Sequence, residues 1–390
     1  MTSLSRSRVT VVSRIFSPEP GAASFRLAAL TRALLECGAE VDVLTSTAPA
    51  GMRVAGDVAG ATVRRAPVLR DRDGYVRGYA QYMSFDVPLA FRLLSSRKPH
   101  AVIVEPPPTT GAVVRAVCWF RRIPYVYYAA DVWSEAASVA GSPALVTNVV
   151  RALEKFALSG AAGVAAVSES VAQRLREIAP KALVEVVGNG YDETIFRPDG
   201  PSHRADAPYL LYPGTASEVH GAMIFIDAMP RVLSLMPDAR LVFIGQGAER
   251  DAMQARATAT VPGAVEFLPR MSGREVAGWI RGAAATLASV LPNAYVAFPT
   301  KMLASVGCGT RVVYTGPEPG LSFARTPGVG WTAEYTKDEV AEAMISALRE
   351  AGSDGERRRL STWASGEHSL GVVMSRVTGL VQDVIRNARR

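Results

Sequence analysis

Histidine and cysteine are scarce: four and three in 390 residues. The four histidines are scattered without metal-ligand spacing, so no metal centre is expected. Cys37 and Cys118 stand in helix-like text and Cys308 near a helix end. So odd and sparse a set reads as reduced core residues of a cytoplasmic protein, not as a disulfide framework. No apolar run approaches the roughly 20 residues that span a bilayer. The polar, basic start from Met1 to Arg8 leads into a short strand, not into the apolar core of a secretory leader. No nucleic-acid-binding module is recognisable, so nucleic acid is not an expected partner.

What the chain does have is an apolar fraction of 48% with 20% charged residues, the balance of a globular protein. Its length suits two domains better than one core. The net charge of +7 lies mostly in the first half. Between residues 53 and 98, Arg53, Arg64, Arg65, Arg70, Arg72, Arg77, Arg92, Arg97 and Lys98 alternate with Tyr75, Tyr79, Tyr82, Phe85 and Phe91. Such a stretch is either a solvated basic face or a contact for anionic lipid or a phosphate-bearing acceptor.

Short apolar strands alternate with amphipathic helices along the whole chain. Val9–Val12, Val41–Leu44, Ala101–Val104, Tyr125–Tyr128, Gly163–Val167 and Val184–Val187 read as strands of a first sheet, with a helix from Ser24 to Cys37. Arg197 to Pro208 is poor in large apolar residues and reads as a linker. The rhythm then restarts with strands at Tyr209–Tyr212, Leu241–Ile244, Val265–Leu268, Ala285–Ala288 and Arg311–Tyr314. The fold class is α/β, with two doubly wound parallel sheets facing a cleft. The expected domains are 1–198 and 199–368, with a helix in 369–390 that packs back on the first.

The most informative segment is Phe298-Pro299-Thr300-Lys301 followed by an apolar helix, Gly307, Gly309 and a strand. A helix start carries partial positive charge and free amides, and Lys301 adds a full charge, so phosphate is favoured there. Other strand ends carry candidates. In Ser17-Pro18-Glu19-Pro20-Gly21-Ala22-Ala23-Ser24 small residues let backbone amides reach an anion, or form an ordinary turn with Ser24 as N-cap. Glu105-Pro106-Pro107-Pro108 ends a strand abruptly. Asp131, in Ala130-Asp131-Val132-Trp133-Ser134-Glu135, either orients a hydroxyl or caps a helix. Ser168 follows another strand. Asn189-Gly190-Tyr191-Asp192 reads as a structural turn. Gly214 and Thr215 offer close backbone approach and a hydroxyl to phosphate, with His220 either a surface histidine or a ligand. Gly245-Gln246-Gly247 with Glu266 further on mimics a dinucleotide fingerprint, although Arg250 occupies its third small position.

Taken in order, these segments resemble glycosyltransferase family 4 of the GT-B fold, over about residues 9–345. The family's Pro-x-Lys is followed three residues later by Glu and then by Gly-x-Pro-Val; here Ala304 and Arg311 take the Glu and Pro positions. The Asp131 segment is similar to the Asp-Leu-Trp-Pro-Glu of the lipopolysaccharide- and capsule-type subgroup, with Ser134 in place of Pro. The resemblance implies two Rossmann-like domains and retaining, metal-independent transfer from a nucleotide-diphosphate sugar to a hydroxyl acceptor, lipid-linked or small. It implies a setting in envelope glycan, glycolipid or natural-product synthesis, with the protein cytoplasmic or peripheral on the inner membrane face. It assigns Asp131 and Lys301 to catalysis. It assigns Gly21, Gly214, Thr215, Gln246, Gly247, Arg270, Thr300 and Lys301 to the donor, and Arg26, Glu105 and Ser168 to the acceptor side. With Ala304 unable to bind ribose, Glu318 becomes the candidate acid. The same gap also leaves open a different donor or a non-catalytic GT-B relative that binds or scaffolds, and a GT-B sugar-nucleotide epimerase is a further alternative.

Overall fold

The computed structural model describes residues 4–19, 21–49, 58–71, 74, 76, 78–139, 141–203, 205–350 and 352–390. Pro20, Arg53, Arg72, Tyr75 and Arg77, singled out above, lie outside the described residues. The chain divides into two compact units, one of Met1–Gly188 with Val373–Arg390 and one of Asn189–Val372. Residues 189–198, read in sequence as the end of the first domain, therefore belong to the second unit. The returning segment starts at Val373 and not at 369.

The first unit runs β1 (Arg8–Val12), α1 (Ala22–Glu36), β2 (Glu40–Ser46), β3 (Thr62–Ala66), α2 (Tyr79–Ser95), β4 (Ala101–Val104), α3 (Pro108–Arg121), β5 (Tyr125–Ala129), α4 (Trp133–Val139), α5 (Ala144–Ser159), β6 (Gly163–Ala166), α6 (Glu169–Ile178) and β7 (Val184–Val186). Its seven strands are all parallel, in the order β3-β2-β1-β4-β5-β6-β7. β4, β5 and β6 are buried along their whole length, as strands covered on both faces must be.

The second unit runs β8 (Tyr209–Pro213), α7 (Met223–Leu235), β9 (Arg240–Ile244), α8 (Arg250–Thr260), β10 (Val265–Leu268), α9 (Gly273–Gly282), β11 (Ala285–Ser289), α10 (Lys301–Gly307), β12 (Val312–Thr315), α11 (Gly320–Ala324), β13 (Gly330–Ala333), α12 (Lys337–Arg349) and α13 (Asp354–His368). The last helix, α14 (Leu370–Ala388), leads back into the first unit. The second sheet is also parallel, in the order β10-β9-β8-β11-β12-β13. In both sheets the strand order reverses beside the first strand of the unit, and ligands of doubly wound sheets bind at such switch points. Leu210, Phe225, Met229, Leu241, Leu287 and Met344 form part of its core. The edge strands β3 and β13, absent from the sequence reading, are only partly buried and carry little apolar pattern.

The linker-like segment is a fastened strap. The Arg281 guanidinium donates to the Pro201 carbonyl at 2.9 and 2.7 Å and to the Arg197 carbonyl at 3.1 Å. His203 stacks on Trp279 at 3.4 Å between ring centroids. Arg281→Ala should lower stability by about 2 kcal/mol or more, since several charge-assisted bonds go at once. Arg281→Lys should recover little, because one ammonium cannot reproduce the planar fork. Urea unfolding of the two variants checks both statements.

Candidate active site

In the second unit the C-terminal ends of β8 and β9 meet through their backbones. The Gly214 amide donates to the Ile244 carbonyl at 2.8 Å and the Ala216 amide to the Gln246 carbonyl at 3.0 Å. A Cβ on Gly245 would lie 2.4 Å from the Gly214 oxygen, and one on Gly247 would lie 1.8 Å from the Ala216 oxygen. The Gly-x-Gly is thus required by loop-on-loop packing. Arg250 donates to the Gly245 carbonyl, and to those of Leu268 at 2.9 Å and Phe267 at 3.0 Å. A side chain that ties two strand ends together fills the close-packing position a dinucleotide fingerprint needs, so that rival reading falls.

Lys301 opens α10 and rests on this platform. A Cβ on Gly214, whose φ is 116°, would sit 3.7 Å from Lys301 Cε and 3.9 Å from Nζ. The ammonium donates to the Tyr212 hydroxyl at 2.6 Å and lies 3.8 Å from the centroid of the same ring. Burial pushes its pKa down to about 7. His220 is half-buried, not a surface histidine, and Nδ1 pairs with Ser217 Oγ at 2.6 Å. Burial first, then the Lys301 charge, hold it near 4, so it is neutral at physiological pH. Gly214, Thr215, Gln246, Gly247 and Lys301 are brought together. Thr215, Gln246 and Thr300 are exposed, as is Arg270, which has no hydrogen-bond or ion-pair partner among the described residues. Glu318 accepts from the Ser322 amide at 3.1 Å and its hydroxyl at 2.7 Å, which steadies α11. Ala304 packs against the apolar cluster that includes Tyr209, Leu211, Val242 and Ile244.

In the first unit Gly21, not Ser24, holds the N-cap position of α1; Ser24 is buried in its first turn. A Cβ on Gly21 would meet nothing within 4 Å, so packing does not account for this glycine. Arg26 forms an ion pair with the buried Glu105, which also lies 3.4 Å from Ser13 Oγ. Ser168 accepts from the Val171 amide at 3.3 Å as the N-cap of α6.

Glu154, a residue that sequence reasoning missed, decides the role of the Asp131 segment. Its fully buried carboxylate accepts from the Trp133 amide at 2.8 Å, the Ser134 amide at 3.3 Å and the Ser134 hydroxyl at 2.6 Å. The start of α4 is therefore capped from α5, and Asp131 is not the cap. Asp131 has no hydrogen-bond partner among the described residues. Its carboxyl is pushed up to about 6, by desolvation first, with Arg26 opposing and Glu105 and Glu154 adding. Its side chain is itself exposed, so solvent screens part of that effect. Ser134 supplies an amide and a hydroxyl that a proline could not. That chemistry was legible only once Glu154 was placed beside it.

Among the described residues no group of three or more His, Cys, Asp or Glu could hold a metal ion. No helix among them is long and apolar enough to cross a membrane.

The comparisons with known proteins agree with this geometry. A glycosyl transferase 4-like domain model matches residues 21–190, and a model of glycosyl transferases group 1 matches residues 207–350. Among curated proteins none matches the chain. Sucrose-phosphate synthase from Thermosynechococcus elongatus superposes with a TM-score of 0.75 at 16% identity, covering 98% of this chain and 100% of that one. Anabaena HepE, solved in complex with UDP and glucose, gives 0.71 at 16% identity over 97% and 100%. WaaG, a glycosyltransferase involved in lipopolysaccharide biosynthesis, gives 0.67 at 15% identity over 95% and 98%. The chain belongs to the glycosyltransferases of the GT-B type, family 4.

Glu154→Ala should destabilise the first unit by about 1–3 kcal/mol for each buried amide left without an acceptor. Glu154→Gln keeps an acceptor oxygen and should cost less. Chemical unfolding separates the two.

Proposed function

We propose that the protein is a retaining, metal-independent glycosyltransferase that moves a sugar from a nucleotide-diphosphate donor to a hydroxyl of a cell-envelope glycan or glycolipid. The carrying observation is Lys301, a cation held by Tyr212 against the backbone of Gly214 with no carboxylate paired to it among the described residues. An ammonium depressed by burial alone regains its charge when a diphosphate arrives, which places positive charge where the leaving group develops negative charge. Thr215, Gln246, Gly247, Thr300, Arg270 and Gly21 complete the proposed donor contacts. Glu318 is the exposed acid available to ribose. The UDP held by HepE supports a nucleotide donor.

On the acceptor side Asp131, free of capping duty, orients the attacking hydroxyl, with Arg26, Glu105 and Ser168 shaping its surroundings. Retention follows the family resemblance: the hydroxyl attacks the face that the diphosphate leaves, and a phosphate oxygen takes the proton. The new bond joins acceptor oxygen to anomeric carbon, and the bond to the donor phosphate oxygen breaks. No carboxylate pairs with Lys301 among the described residues, and His220 is held neutral, in keeping with that route. Incubation with UDP-, GDP- and dTDP-sugars in chelator, followed by release of nucleoside diphosphate and the anomeric configuration of the product, tests the proposal. An inverted product or a strict metal requirement would refute it.

Lys301→Ala should abolish transfer and weaken nucleoside diphosphate binding by more than about tenfold, the equivalent of one charge-assisted contact of about 1.5–3 kcal/mol. The melting temperature reports whether the fold is intact.

The binding affinity should also depend on pH. The free amine titrates near 7 and the bound diphosphate favours the ammonium. Binding above pH 7 must then take up a proton, and affinity should fall as pH rises from 7 towards 9. Calorimetry in buffers of different ionisation enthalpy measures that proton directly.

Ala304→Glu should lower the melting temperature without tightening the nucleotide, because the new carboxylate would meet an apolar cluster.

A further inference from the structure

Among the described residues of the basic stretch between 53 and 98, several arginines are tied into the fold. Arg70 pairs with Glu19 through two bonds of 2.9 Å, Arg65 donates to the Ser17 carbonyl at 2.7 Å, and Arg92 donates to the Arg64 carbonyl at 2.6 Å. These arginines hold loops together. The stronger signal lies on a helical face of the first unit that takes in only the last part of that stretch, from α2 to Lys98.

α2, α3 and α5 lie side by side. Arg121 at the end of α3 donates to the Ser96 carbonyl just past α2 at 2.8 Å, and Thr110 of α3 donates to Asp86 of α2 at 2.6 Å. Arg115 of α3 lies 4.0 Å over the Phe156 ring of α5. Outward from this layer project Phe91, Trp119 and Phe120, at 67%, 81% and 73% exposure, with Val87, Leu94, Leu145, Val149 and Phe156 also exposed. Large exposed aromatics in one layer are not what a solvated surface selects.

The charge pattern is one-sided. The only acids on the three helices are Asp86 and Glu154, and both are fully buried. Each has a use inside the fold, with Thr110 and with the start of α4. The exposed charges on or beside these helices are Arg97, Lys98, Arg122, Arg151 and Lys155, and none has an ion-pair partner among the described residues. Glu135 on the neighbouring α4 is neutralised by Arg174 at 3.2 Å.

We propose that the α2–α3–α5 face docks on an anionic lipid surface, with Trp119, Phe120 and Phe91 entering the headgroup boundary and the surrounding Lys and Arg meeting lipid phosphates. Aromatic and aliphatic side chains gain by leaving water at that depth, and each cation adds attraction to a negatively charged leaflet. A second copy is a poorer occupant, because a two-fold pairing sets the same patch against itself. The exposed charges of this patch are all positive, so that pairing would oppose cation to cation. The inference rests on exposure and charge alone and stands apart from the donor chemistry.

The test is flotation with phosphatidylglycerol-containing vesicles and with phosphatidylcholine vesicles, at low and at physiological salt. The expected result is binding to the anionic vesicles, weakened as salt shortens the Debye length to about 8 Å. Trp119→Ser with Phe120→Ser should reduce that binding by about tenfold or more, since burying a large apolar side chain is worth at least that factor. Lys98→Gln with Arg151→Gln should reduce it and flatten the salt dependence. An unchanged melting temperature and unchanged nucleoside diphosphate binding confirm that the variants are folded. Equal binding to neutral and anionic vesicles, or no effect of the aromatic pair, overturns the proposal. So does sedimentation showing a dimer that the aromatic pair dissociates, because the face is then a contact between copies.

Discussion

The Lys301 ammonium lies 3.8 Å from the centroid of the Tyr212 ring and donates to its hydroxyl, and no carboxylate pairs with it among the described residues to offset the water it has lost. The second unit is arranged around this state. Tyr212 is fixed at the end of β8 by core packing against Phe225 and Phe243. Gly214 leaves room for the lysine stem, and the two glycines after β9 bring the next strand end down onto the same loop. Had a carboxylate been placed beside Lys301, the cation would be satisfied internally and an incoming anion would have to displace it.

The first unit solves the opposite problem. Two of its buried acids are paired with arginines, Glu105 with Arg26 and Glu19 with Arg70. The carboxylate of Glu154 takes over the helix start next to Asp131, which has no hydrogen-bond partner among the described residues. Tyr212 receives the Lys301 ammonium, and Glu154 fixes the backbone of Trp133 and Ser134 beside Asp131.

The parallel sheets were legible because fully buried strands such as β4 and β5 read as unbroken apolar runs. β3 and β13 were not, since edge strands such as Thr62-Val63-Arg64-Arg65-Ala66 have no such pattern. Lys301, Gly214 and Gly247 could be named from their place after strands. The reason for Gly247 could not, because it depends on the Ala216 backbone oxygen in the loop after the preceding strand. Ser24 and Asp131 both looked like helix caps. Local sequence could not show that Gly21 and Glu154 hold those positions, the second from within α5. The apparent linker misled for the same reason: its lack of apolar residues is compensated by Arg281, 80 residues from Pro201.

The path of the chain between the units bears on how the molecule is made. The first unit is left at Gly188 and resumed at Val373, and a side chain at Gly163 on β6 would collide with Leu380 of α14 at 2.8 Å. During synthesis β6 therefore waits, one side uncovered, until the whole second unit has emerged. The second unit is continuous and can close first. The unit begun earliest is completed last.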